Sequence, residues 1–228
     1  MSGAKKSPFA IRMDDIQKII DPDLKRLGFR KSARTYNRSP EEGLVQVINF
    51  QMGPYEPPLP YVSPVPQWLK SDVYGKFAVN LGIYVDEVSR AEGYPKPGTF
   101  VSEFRCRLRI RLGHLINLEG EEFWWRLDMP ADEIAKEVAT HLLSDGIAFL
   151  DRFGSRSAII RDWIKFNDTE IETTVRAMLD VGIMLAAKGD RAQAAALFRQ
   201  HLALPGTNQV HKDYVLGLAK KFNLDVAP

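Results

Sequence analysis

The chain has 228 residues, 45% of them hydrophobic, and a formal net charge of +2. It therefore has apolar mass for a large domain with a small appendage, and too little net charge to attract polyanions as a whole. A single cysteine, Cys106, excludes an internal disulfide; no stretch approaches a membrane span; Lys5 and Lys6 lead into no apolar run, so a cytoplasmic protein is expected.

Residues 14–27 predict the first helix. Asp14 or Asp15 can cap it, Ile16, Ile19, Ile20, Leu24 and Leu27 recur at helical steps, Pro22 predicts a kink, and Gly28 a stop. Strands follow at 34–38, 44–51, 77–85 and 105–112, with a fifth at 123–127. Strands in succession without intervening helices favour an antiparallel sheet. Between the second and third, Pro54, Pro57, Pro58, Pro60, Pro64 and Pro66 predict an extended loop, punctuated by Tyr55, Tyr61 and Trp68. It reads first as a stiff surface loop and second as a ligand for a proline-reading domain.

The segment 104–112 carries the sharpest pattern. Phe104, Cys106, Leu108, Ile110 and Leu112 alternate with Arg105, Arg107, Arg109 and Arg111. On a strand, alternate side chains share a face and lie about 6.7 Å apart. At that distance two like charges in water repel by roughly 0.6 kcal/mol, so a solvated row needs no ligand. Pairing with the protein's own carboxylates is a second reading, and an anionic partner a third. Residues 25–38 add six basic residues and no acid, and Arg34, Tyr36 and Arg38 alternate onto one face. If the two faces coincide, the candidate partner-binding set is Arg34, Tyr36, Arg38, Arg105, Arg107, Arg109 and Arg111, with Asn49, Gln51, Asn80 and Tyr84 joining it. Arginine suits two-pronged contact with carboxylate or phosphate.

Residues 131–152 predict a helix with Asp132 and Glu133 in its first turn. Trp124 and Trp125 must face opposite sides of a strand. Helices follow at 157–166, 173–188, 191–202 and about 209–222. Gly182, Gly189-Asp190, Ala194, Phe198 and Pro205 resemble one tetratricopeptide repeat, in which small residues let two helices approach. The domain reading is an α+β domain over 1–155, a two-layer antiparallel sheet with flanking helices, and a helical C-terminal unit over 156–228.

Taken in order, Leu27-Gly28-Phe29-Arg30-Lys31, Arg34-Thr35-Tyr36, Val47-Ile48-Asn49-Phe50-Gln51, Val79-Asn80-Leu81-Gly82, Arg107-Leu108-Arg109-Ile110 and Trp124-Trp125-Arg126-Leu127 resemble the bacterial domain-of-unknown-function family four-three-zero-four over about 14–155. The resemblance implies the fold and a bacterial source, and no activity.

Enzyme signatures are sparse. His114, His141, His201 and His211 form no pair at metal-ligand spacing, no phosphate-binding glycine loop is present, Glu119, Glu121 and Glu122 read as a solvated turn, and Cys106 reads as a buried hydrophobe. The expectation is a non-enzymatic binding protein without cofactor or metal. It would meet another protein through the basic sheet face, for example as a toxin-neutralising or regulatory module. The alternatives are nucleic acid bound on the same face, and an enzyme with an unrecognised site.

Overall fold

A computed structural model describes residues 6–53, 73–116, 123–166 and 171–226, with only the backbone at 171–175. The proline-rich segment expected at 54–66 and the acidic turn at 119–122 lie outside these residues. Helix α1 runs from Pro8 to Arg26. The Ser7 hydroxyl accepts the Ala10 N–H at 3.1 Å, so the start lies about two turns before the expected aspartates, at a Ser-Pro pair that supplies both cap and pre-set backbone. Pro22 sits on the exposed side within the helix and does not end it.

Six strands form one antiparallel sheet: β1 (Arg30–Ser32), β2 (Thr35–Glu41), β3 (Leu44–Met52), β4 (Lys76–Val85), β5 (Leu108–Arg111) and β6 (Trp125–Arg126). Their order is β1-β2-β3-β4-β5, with β6 beside β4. The register pairs Lys31 with Tyr36 and Phe77 with Trp125. Helices α2 (Asp86–Ala91) and α3 (Leu112–Ile116) flank β5 in the chain. The helix expected at 131–152 is α4 (Ala131–His141), a wider π turn over Leu142–Gly146, and α5 (Ile147–Arg152). The C-terminal helices are α6 (Arg156–Phe166), α7 (Ile171–Lys188), α8 (Arg191–Leu202) and α9 (Gln209–Lys221). Among the described residues no helix is long and apolar enough to cross a membrane.

The chain divides into two compact units that are not consecutive in sequence. The first comprises residues 1–38, 47–82 and 109–150, and the second 39–46, 83–108 and 151–228. In the first unit an aromatic ribbon crosses the sheet. The rings of Tyr36, Phe50, Phe77 and Trp125 follow one another at 5.8, 6.3 and 5.7 Å. Each pair adds about 0.5–1.5 kcal/mol to the gain from burial.

In the second unit, Arg156 at the start of α6 grips Glu87 on α2 with two prongs at 2.7 and 2.9 Å and gives a third N–H to the Glu42 carbonyl at 2.8 Å. Gly43, at φ +73°, makes room for it: a Cβ there would lie 2.8 Å from the Arg156 Nη2. Gly182 does the same for α7 and α8, where a Cβ would lie 2.8 Å from the Phe198 ring.

Candidate functional site

The alternating segment is a strand only at 108–111. Residues 103–105 form a 3-10 turn and Phe104 is 73% exposed, so the expected apolar face does not extend to it. The arginines consequently part company.

Arg111 stays on the sheet. Its Nε donates to the Asn80 Oδ1 at 3.3 Å, and its guanidinium lies 5.0 Å from the Trp124 ring. Asn80 in turn donates to Gln51 at 2.8 Å and to Asn49 at 3.4 Å, and Asn49 donates to the Thr35 hydroxyl at 2.9 Å. A polar row therefore crosses β5, β4, β3 and β2 on one face, as expected for Asn49, Gln51 and Asn80. Arg109, two residues before Arg111, is exposed.

Thr35 belongs to this row, so its neighbour Tyr36 faces the other side of the sheet. Tyr36 is fully buried there and donates to Asp21 of α1 at 2.5 Å. Burial first, and then the Asp21 carboxylate, hold its hydroxyl far above the usual tyrosine range. Burial alone would raise the Asp21 carboxyl, but hydrogen bonds from Tyr36 and Lys31 bring it below its ordinary value. Arg38 lies over the Phe29 ring at 4.6 Å. Arg34 falls in the turn before β2, half-buried. The expected platform of Tyr36 and Arg38 beside the arginine row is thus corrected by strand parity. A shift of one residue exchanges the faces, and the buried Tyr36 ring cannot stack on a ligand.

Arg105 and Arg107 instead join a cluster in the second unit, at the C-terminal end of α2. Arg107 bridges two carboxylates, Glu92 at 2.6 Å and Asp180 of α7 at 3.3 Å. Asp180 is 2% exposed, and burial pushes its carboxyl up to about 6 against the pull of Arg107. Arg105 donates from Nη2 to the Pro95 carbonyl at 2.5 Å and to the Ser89 hydroxyl at 3.3 Å. Its guanidinium lies 5.2 Å from the Tyr94 ring and 6.0 Å from the Tyr84 ring. Its Nε is buried with no hydrogen-bond partner. From α9, Lys221 donates to the carbonyls of Arg90 and Ala91 at 3.1 and 3.3 Å. Tyr214, also on α9, has its hydroxyl raised by burial and by the nearby charges of Glu92 and Asp180 and the hydroxyl of Tyr94.

Two tyrosines are exposed here, Tyr94 at 51% and Tyr214 at 44%, and the Tyr94 ring carries the Arg105 guanidinium. Among the described residues neither Arg105 nor Lys221 has a carboxylate partner, and nor does Lys96, next to Pro95. The ion pairs of Arg107 with Glu92 and Asp180 form the floor of this surface, with Arg105 and Lys221 beside it. Sequence reasoning found Arg105 and Arg107 and missed Glu92, Tyr94, Asp180, Tyr214 and Lys221. Asp180 left one signal, a lone acid inside the apolar run Met178-Leu179-Asp180-Val181, because such an acid must find a partner.

Comparison with known proteins adds the family. A family model described as a domain of unknown function, DUF4304, matches residues 20–58 and 67–152. The chain belongs to this family. Its match ends before α6, so much of the cluster at the end of α2, including Asp180, Tyr214 and Lys221, lies beyond it. No curated protein and no solved structure matches the chain.

Proposed function

We propose that this DUF4304 protein is a non-enzymatic binding module of a bacterial cytoplasm, which holds an acidic segment of another protein against the end of α2. The observation that carries this reading is exposed Tyr94 against Arg105, with exposed Tyr214 close to Tyr94 and with Lys221 at the end of α2; neither Arg105 nor Lys221 has a carboxylate partner among the described residues. Tyrosine and arginine are the residue types that dominate interface energetics. Arginine retains a two-pronged fit to carboxylate while leaning on an aromatic face. A regulator or a toxin-neutralising module acts through such a surface by masking its partner.

The test is capture from a lysate of the producing cells, with the wild type and the double charge reversal Arg105→Glu/Lys221→Glu as baits. Lys221 is exposed and Arg105 half-buried at the end of a 3-10 turn, so the circular dichroism spectrum of the variant is compared with that of the wild type first. At least one protein is expected to be held by the wild type, lost by the variant, and released as salt rises. Identical capture profiles contradict the proposal. Retardation of RNA or DNA by the wild type at low salt, abolished in the same variant, would transfer the surface to a nucleic-acid backbone.

A further inference from the structure

The contact between α8 and α9 is proton-dependent by its chemistry. His201 on α8 is fully buried, and His211 lies in the first turn of α9. Their Nε2 atoms are 2.8 Å apart and their ring centroids 5.1 Å apart. A neutral imidazole carries one N–H and one lone pair, so one Nε2 donates and the other accepts. A proton added to the Nδ1 of the donor ring leaves the contact whole. A proton on the accepting Nε2 destroys it, because two N–H groups then oppose each other across 2.8 Å and two cations stand side by side.

We infer that His201 and His211 form an acid-released latch on α9. The latch sits where the helix begins. The Asn208 side chain accepts the His211 N–H at 2.9 Å, and the turn before it passes through Gly206 at φ +83°. Charged and titratable groups stand on each element around the pair. On α9, the Tyr214 ring is 6.0 Å from His211, Asp213 is taken by Gln209 at 2.7 Å, and Lys212 follows His211 in the chain. On α8, Arg199 donates to the Asp225 carbonyl. On α7, Asp180 and Arg176 lie close to each other, and Asp180 is held by Arg107. Histidine gains charge between about pH 8 and 5; the first proton goes to the donor ring and keeps the contact, and the second, resisted by the first, breaks it, so release belongs to the acid side of that range. The latch does not rest on the docking reading. If both hold, acid also removes Tyr214 from the docking surface.

The experiment is amide hydrogen exchange of the full chain at about pH 7.5 and about pH 4.5, where the second proton is taken up, corrected for the intrinsic rate. Protection of residues 212–221 is expected to fall roughly tenfold in the wild type relative to α6, and to change less than about twofold in His211→Gln, whose amide keeps a donor and does not titrate. Equal wild-type protection at the two pH values overturns the inference, and so does the same loss in His211→Gln. If that variant does not fold, imidazole nitrogen NMR of the wild type decides. Loss of the nitrogen–nitrogen hydrogen-bond coupling in acid supports the latch, and its persistence overturns it. None of these outcomes depends on capture of a partner.

Discussion

At the scale of single residues, the fate of each arginine was decided by its neighbours. Alternation between Phe104 and Leu112 was legible, but it describes a strand only where β4 supplies a pairing edge. Before Leu108 the backbone turns away, and Arg107 satisfies two of the protein's own carboxylates, one of the readings that the sequence left open. Asp180 is the residue with the clearest pH signature. Burial lifts its carboxyl to about 6, above the free value of about 3.9. The folded chain therefore binds this proton more tightly than the unfolded chain. Its contribution to stability is complete below about pH 4 and is lost as pH rises through 6. A rise of that size corresponds to at most about 3 kcal/mol. In urea unfolding, the wild type should gain more stability between about pH 7.5 and pH 5 than Asp180→Asn does. The histidine pair is common to both proteins and cancels in the difference. Equal gains would contradict the assignment.

At the scale of elements, periodicity was the most legible signal. The strands at 44–52 and 76–85 and the helices at 156–166, 171–188, 191–202 and 209–221 agree with the expected ranges to within a few residues, because each carries a full apolar face whose period has one solution. Short elements escaped. β1 has three residues, α2 six and α3 five, too few for a period to register. Their placement depends on tertiary partners such as the grip of Arg156 on Glu87. The resemblance to a helical repeat has a physical content that can be tested at Gly182. A methyl group there meets the Phe198 ring at 2.8 Å, and Phe198 is fully buried and has nowhere to move. Gly182→Ala should therefore destabilise the chain by about 1–3 kcal/mol from overpacking, reduced by up to about 1 kcal/mol of helix propensity. The urea midpoint measures it. A more stable Gly182→Ala would mean that α7 and α8 do not approach as closely as described.

At the scale of the whole molecule, the net charge of +2 conceals the feature that matters. Most arginines described are neutralised or stacked. Arg107 and Arg156 hold carboxylates, and Arg111 lies on Trp124. At the end of α2, two cations differ from Arg107 beside them: Arg105 and Lys221 hydrogen-bond to carbonyls and a hydroxyl and to no carboxylate of the described residues. No sequence pattern could place residues 89–96, 105 and 214–221 together, because they come from three separate stretches. The proposed docking surface therefore draws on helices that follow the family-matched region as well as on the region itself.

The hydrogen-exchange footprint of the captured partner on the full chain probes the docking surface without an intermediary. Protection should concentrate in residues 89–96 and 212–221, and Arg105→Glu should weaken both stretches together. A footprint confined to the polar row of Thr35, Asn49, Gln51 and Arg111, with the end of α2 unchanged, would contradict the proposed docking surface.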